Sequence, residues 1–349
     1  MITGDYPRTA QAIAEEIGLD TSAGVITGAE LEEISDEDLA ARVHDVHVYA
    51  RMVPEQKLRL IRAFKSRGDV VGMTGDGVND APALRAADIG IAMGERGTDV
   101  ARESADLVIT DDDFTSIVEG VRQGRRIFEN LRKAMAYVVA IHIVIFGMAL
   151  IPVFGPTWPL ILLPLQIALL ELVIDPACSI AFEAEPPDRR IMHRPPRPRE
   201  ESILTKRVIS VAALQGFTTL IGVFAVFLWM IGSGASDAQV RTATFASLMA
   251  GNVMLILVNR SWHLSLTRTI RERPNPVFRW VVGFAVTVTA VLVAVPPVQS
   301  ALRFESISPM NITVAIAAGA LGPIWFEIYK HFFGASQAEH AVTLEEVGH

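Results

Sequence analysis

The sequence predicts an α/β domain built on a partial parallel sheet, followed by an all-α domain of six transmembrane helices. Three observations predict it. Up to about Leu131 the chain is acidic and carries only short apolar runs, whereas every long apolar run lies beyond that point. In the first part the short runs alternate with helical patterns, which is how strands and helices build a parallel sheet. In the second part six runs come close to the about 20 mostly apolar residues that a helix needs to cross hydrocarbon. Hydrophobic residues make up 50% of the chain, high for a wholly soluble protein.

The strand candidates come first. Val70–Thr74 ends in Gly75-Asp76-Gly77, Ile89–Met93 ends in Gly94, and Leu107–Thr110 ends in Asp111, Asp112 and Asp113. Helical patterns cover Pro54–Arg67, with Leu58, Ile61 and Phe64 on one face, then Asp80–Ala87 and Thr98–Ala105. In parallel α/β sheets the chemistry sits just beyond the carboxyl ends of strands, and Asp76, Asn79 and Asp80 fall there. Glycines on both sides of Asp76 let the backbone turn sharply and approach a ligand closely. Two carboxylates and an amide so close together suit a hard cation such as Mg2+, which takes oxygen ligands and bridges to phosphate. An ordinary Asp/Gly/Asn turn uses the same residues. The Gly-x-Gly lacks the third glycine of a dinucleotide fingerprint.

The six apolar stretches are Ala134–Val153, Pro159–Phe182, Val208–Ile231, Ala243–Val258, Val277–Val298 and Ile312–Phe333. The fourth is short and carries Asn252. An even number of spans puts both ends of the chain on one side. Arg189, Arg190, Arg194, Arg197, Arg199, Lys206 and Arg207 lie between spans two and three, and Arg260, Arg268, Arg271 and Arg273 between four and five. The opposite loops hold only Arg241 and Arg303, so positive charge places the acidic head in the cytoplasm. The domains expected are therefore a head over residues 1–131, a membrane domain over 132–334 and a cytosolic tail over 335–349.

Asp113–Val153 reads as one long helix, with Asp112 or Asp113 as its cap and Phe114, Ile117, Val121 and Ile127 at helical spacing. Gly120 and Gly124, four apart, suit close packing or simply weaken the helix. In the second span Glu171 and Asp175 share a face one turn apart. Carboxylates at membrane depth are costly and are functional candidates by default. Pro176 lacks the N–H that would bond a carbonyl about four residues earlier, freeing that oxygen as a further ligand. His142 reads equally as an interior hydrogen-bonded histidine or as a ligand or proton carrier. Asn252 lines the pathway or, more simply, bonds between helices. Cys178, the one cysteine, rules out an internal disulfide and reads as a packing residue.

Thr74–Leu84 reads TGDGVNDAPAL, and this long segment resembles the signature of P-type ATPases. MITGDYPRTAQAIAEEIGL at Met1–Leu19, ARMVPEQK at Ala50–Lys57, ADIGIAMG at Ala87–Gly94 and DRRIMHRPPR at Asp188–Arg197 are similar to the same family, the last to its calcium-pump-like members. The resemblance runs from Met1 to about Arg199 and continues more weakly through the last four spans. It implies a haloacid-dehalogenase-like head, with Mg2+ as cofactor and ATP as substrate. An aspartate in a DKTGT motif is there phosphorylated and then hydrolysed.

By that resemblance Asp76, with Asp80, holds Mg2+ against the phosphoryl group, and Asn79 and Asp80 order the site. Thr3, Gly4 and Asp5 bind phosphate oxygens, and Lys57 neutralises charge on the transferred group, chemistry that is mostly positioning and charge stabilisation. Glu171 and Asp175 match the cation-binding stretch. His142 and Ile145 stand where calcium pumps carry an asparagine and a glutamate, so a two-calcium arrangement does not carry over. No DKTGT occurs in the 349 residues. In the family that aspartate sits on a central strand of the same sheet, so a chain carrying the missing N-terminal part is an expected partner.

The remaining expectations are a multi-pass protein of a bacterial-type cell membrane, the bilayer and a transported cation as partners, and Ca2+ or another divalent ion as cargo. A net charge of −8 argues against a nucleic-acid partner. Met1 opens into Ile2–Asp5 rather than a basic, then apolar, leader, so no signal peptide is expected. Two other readings remain: a membrane-anchored phosphatase-like module, and a non-catalytic remnant or one half of a split pump.

Overall fold

A computed structural model describes residues 1–331 apart from Pro156, Arg189 and Arg199; the side chain of Cys178 is also outside the description. The expected tail at 335–349 and the last two residues of the sixth predicted span, Phe332 and Phe333, lie outside the described residues. The chain divides into two units, Met1–Val121 and Arg122–His349.

The first unit runs α1 (Pro7–Glu16), β1 (Val25–Thr27), α2 (Gly28–Glu33), α3 (Asp36–Arg42), β2 (Val48–Ala50), α4 (Pro54–Ser66), β3 (Gly72–Gly75), a 3-10 turn at Val78–Asp80, α5 (Ala81–Ala86), β4 (Ile89–Met93), α6 (Asp99–Ser104) and β5 (Leu107–Ile109). Side-chain caps set the helix starts: Thr27 with Glu30 in a capping box on α2, Ser35 on α3 and Thr98 on α6. The strands form two parallel sheets, β1-β2 and β3-β4-β5. Ile2 bridges Tyr49 in parallel on the side of β2 away from β1, so Met1–Thr3 extends the first sheet by an edge segment.

Each sheet has its own apolar layer. Tyr49, Leu31, Leu39, Leu60 and Ala63 pack under the first sheet, while Ile61, Met73, Ala83, Leu84 and Ala92 pack against the second. The helix between them thus buries Leu60, Ile61 and Ala63, whereas Leu58 and Phe64 are only half-buried. The inward face is turned from the predicted one because α4 serves two layers, not one.

The long helix α7 spans Thr115–Leu150 and passes through a 3-10 turn at Ile151–Phe154. Asp113 caps it, accepting from the Thr115 N–H at 2.9 Å. That bond holds the Asp113 carboxyl below its usual range. Asp112 has turned away with a φ of 52°, and its carboxylate accepts from the Glu95 and Arg96 N–H groups instead. Ile117 packs on Ile91, Met93 and Ile109, but Phe114, Val121 and Ile127 are exposed. Gly120 and Gly124 have open space where a side chain would stand, with no described residue packed closely on them.

The second unit continues α8 (Pro164–Pro176), a π-helical segment at Ala177–Phe182, α9 (Lys206–Gly232), α10 (Asp237–Asn259), α11 (Leu266–Glu272), α12 (Pro276–Ala294), α13 (Pro296–Ala301) and α14 (Pro309–Leu321). Among the described residues six helices are long and apolar enough to cross a membrane: Thr115–Phe154, Pro164–Phe182, Lys206–Gly232, Asp237–Asn259, Pro276–Ala294 and Pro309–His331. They match the six predicted stretches. The fourth is longer than its apolar run because Ser236 caps a polar first turn. It is also the most enclosed. A Cβ on Gly319 would run into the Ser247 carbonyl, so glycine is what lets α14 close on α10.

Candidate functional site

The head site is built on two helix starts and two strand ends. Lys57 stands on the first turn of α4, which follows β2, and Asp80 ends the turn that follows β3. The Lys57 Nζ donates to Asp80 Oδ1 at 2.7 Å, so the carboxyl ends of both sheets face one edge of the unit. Asp80 is buried, and its second oxygen accepts from the Gly77 N–H at 3.3 Å. Gly75 makes this possible, since a Cβ there would collide with the Asp80 side chain. Asp76 and Asn79 are exposed beside the pair, and the Asp76 carbonyl accepts from the Thr98 N–H at 2.8 Å. Thr3 and Asp5 close a small knot: Thr3 Oγ1 donates to Asp5 Oδ2 at 3.0 Å and accepts from the Asp5 N–H at 3.2 Å. Gly4 is exposed between them.

These side chains divide in their capacity for a metal. The Asp76 carboxylate is open to solvent, an oxygen donor at a strand end that suits Mg2+. Both Asp80 oxygens are taken by Lys57 and Gly77, which suits Asp80 to ordering the loop. Among the described residues no three or more His, Cys, Asp or Glu side chains converge, so a cation here would take its remaining ligands from phosphate and water.

Between the two sheets lies an apolar groove of about 390 Å3. Met1 and Ile2 line one side, Val71, Gly72 and Met73 the other, and Ile61 and Phe64 the floor. Both sides are sheet edges, since Met1–Thr3 pairs with β2 and β3 pairs with β4. The loops Thr3-Gly4-Asp5 and Gly75-Asp76 follow directly from these edges. Tyr49 also lines the groove; its hydroxyl is buried with no hydrogen-bond partner among the described residues, and burial pushes its pKa up to about 12.

In the second unit Glu171 and Asp175 lie on α8, half-buried and exposed respectively, rather than enclosed. His142 on α7 comes near: its Nε2 is 4.0 Å from Glu171 Oε1, while Nδ1 bonds to the Val138 carbonyl at 2.8 Å. That bond fixes the ring on its own helix and leaves Nε2 facing the carboxylate. Pro176 ends the α-helix, the π-helical turn begins at Ala177, and the Asp175 carbonyl accepts from Ser179 Oγ at 2.6 Å. Asn252 is fully buried on α10, with its Oδ1 accepting from the Tyr137 hydroxyl at 2.6 Å.

Sequence reasoning missed one group. Arg260 and Arg273, read from sequence as loop charges that set orientation, are buried. Arg260 forms a two-pronged pair with the fully buried Glu185, at 3.0 and 3.1 Å, and Arg273 pairs with Asp188 at 2.8 Å. Burial acts to raise Asp188, but the Arg190 N–H and the Arg273 guanidinium outweigh it and hold the carboxyl below its usual range. The signal available in sequence was an acid in an apolar-to-loop transition, too common to single out.

Comparison with known families bears on both units. Residues 1–88 match the family described as haloacid dehalogenase-like hydrolase, and residues 159–332 match that described as cation transporting ATPase, C-terminus. A haloacid dehalogenase-like head thus precedes a region of the cation transporting ATPase C-terminal family. The chain belongs to the P-type cation-transporting ATPases and corresponds to their C-terminal part. It is 33% identical over 339 residues to calcium-transporting ATPase 1 of Yarrowia lipolytica, covering 95% of this chain and 36% of that protein. It is 35% identical over 327 residues to a calcium-transporting ATPase of Bacillus subtilis (92% and 36%). To the probable cation-transporting ATPase F of Mycobacterium tuberculosis it is 38% identical over 287 residues (81% and 31%). The chain spans about a third of the length of these relatives.

Proposed function

We propose that the chain is the C-terminal part of an ATP-driven cation pump, in which an aspartyl-phosphate formed at the head drives an ion past Glu171 and Asp175. The observation that carries the reading is the assembly at the carboxyl ends of the two sheets. Lys57 is held against Asp80 at 2.7 Å, with the open Asp76 carboxylate on the same loop. Phosphoryl transfer needs a cation, a fixed positive charge and little else from the protein. Asp76 takes Mg2+, Asp80 and Asn79 order the loop, Lys57 offsets phosphoryl charge, and Thr3, Gly4 and Asp5 hold phosphate oxygens. ATP is the phosphoryl donor.

The groove between the sheet edges fits one further parallel strand, apolar along its length and carrying the phosphate-accepting aspartate at its carboxyl end. It would pair with Met1–Thr3 on one side and β3 on the other. A polypeptide bearing that strand is the partner required for turnover, and the 349 residues by themselves do not turn over. The acids on α8 support a pump over a membrane-anchored phosphatase, because carboxylates at that depth have no use in a phosphatase. His142 beside Glu171 is a third polar group at the same place, and Asn252 borders the pathway through Tyr137. The cargo favoured is Ca2+ or another divalent ion, since two of the relatives named above carry calcium transport in their names. The arginine-rich loops orient the head to the cytoplasm of a bacterial-type cell membrane. The test is phosphorylation from ATP by the chain completed with the segments a relative carries ahead of the matched region. The reading requires that phosphorylation to depend on a transported cation and on Asp76.

A further inference from the structure

Three segments of the membrane domain meet on one residue, Glu185. Glu185 follows the π-helical end of the second span and is fully buried. Its oxygens take the Arg260 Nε and a terminal guanidinium nitrogen at 3.1 and 3.0 Å, and the Asn275 amide at 2.9 Å. Its backbone carbonyl takes Arg126 Nε at 3.0 Å and the Asn130 amide at 2.8 Å, both from α7. The two side-chain partners are themselves fixed. Arg260 donates to the Arg273 carbonyl at 2.7 Å and lies 4.4 Å over the Phe278 ring. Asn275 caps α12 through the Phe278 N–H, and its amide also reaches the Ala181 carbonyl at 3.2 Å, inside the π-helical turn.

The other end of that turn is marked by a proline. Pro176 has no N–H to give, and the Asp175 carbonyl accepts from the Ser179 hydroxyl at 2.6 Å. A π-helical turn after a proline is a place where a helix bends. One side of the bend carries Glu171 and Asp175; the other is clasped to α7, α12 and the segment after α10. A buried carboxylate cannot leave its guanidinium without stranding a charge, so the clasp holds or breaks as a unit.

We propose that Glu185 is a positioning residue for α8. It anchors the far side of a hinge at Pro176–Phe182, so that Glu171 and Asp175, on the near side, swing with α8 about a fixed base. This rests on the pump reading of those two acids.

The test uses the full chain in lipid nanodiscs and dicyclohexylcarbodiimide, an apolar reagent for carboxyls within membranes, with labelling at each acid read by mass spectrometry. In Glu185→Gln the rate at Glu171 and Asp175 should rise by about threefold or more as the hinge loosens, while the rate at Glu305, at the far end of the bundle, stays at the parent value. Because Glu185→Gln strands Arg260, the double variant E185Q/R260Q is measured beside it. It removes both charges, and should keep the parent melting temperature while still speeding labelling at the two acids. Unchanged rates at Glu171 and Asp175 in a folded double variant, or equal acceleration at Glu305, would overturn the proposal. Protection of the parent by Ca2+ or another cation is scored separately and judges only the pump reading.

Discussion

The Lys57 ammonium and the Asp80 carboxylate, 23 positions apart in sequence, meet at 2.7 Å where the two sheets of the head present their carboxyl ends. Both side chains are largely withdrawn from solvent, so the pair is more than a surface ion pair of negligible worth.

Removing one partner should therefore be costly. Asp80→Ala leaves Lys57 without its anion and the Gly77 N–H without its acceptor. A loss on the order of 3 kcal/mol in head stability is expected, read by thermal or denaturant unfolding. Asp80→Ala melting with the parent would show that the pair contributes nothing.

Asp76 should behave in the opposite way. It is exposed and outside the Lys57 pair, so Asp76→Asn should leave unfolding within about 0.5 kcal/mol of the parent. In the completed pump the same change should reduce phosphorylation from ATP by about a hundredfold or more at limiting Mg2+. Parent-like phosphorylation under those conditions would remove Asp76 from the metal.

The contrast between these two aspartates shows what the sequence could reveal. The loop Thr74–Asp80 is contiguous, so its position after a strand and before a helix was legible, as were the six spans, each announced by its own apolar run. What depended on distant partners was not. β1 and β2 have three residues each, and unlike β5 neither runs into a cluster of turn residues that would mark its end. The groove exists only because two sheet edges from separate segments face one another. Glu185 and Arg260 are 75 positions apart, and each alone reads as a solvated loop charge. The difference between the paired, buried Asp80 and the open Asp76 is likewise tertiary, set by where Lys57 lands.

Tyr49 provides a pH test. Burial pushes its pKa from 10.0 up to about 12, so the folded state disfavours the phenolate. A raised folded-state pKa means a contribution complete below pH 10 and lost as pH climbs toward 12, on the order of 2 kcal/mol. Tyr49→Phe should flatten that alkaline loss. At neutral pH it should be nearly neutral in stability, because the hydroxyl it removes has no partner. An identical alkaline slope in the variant would contradict the assignment.

The 349 residues alone should form no acid-stable phosphoenzyme from radiolabelled ATP, with or without Ca2+. Adding the polypeptide that carries the acceptor strand should restore a hydroxylamine-sensitive band. Such a band from the chain by itself would mean that another carboxylate accepts phosphate, and the role given to the groove would fall.

The link between head and ion site is tested most directly by a cation panel on the completed pump, comparing the parent with Glu171→Gln and Asp175→Asn. Phosphorylation from ATP should need one particular cation, and each amide variant should require roughly tenfold or more of it, having lost a charged ligand. Phosphorylation from inorganic phosphate, which runs without bound ion, should survive in both. If the two variants are activated by every cation just as the parent is, Glu171 and Asp175 are not ion ligands, and coupling of the head to transport at this face is wrong.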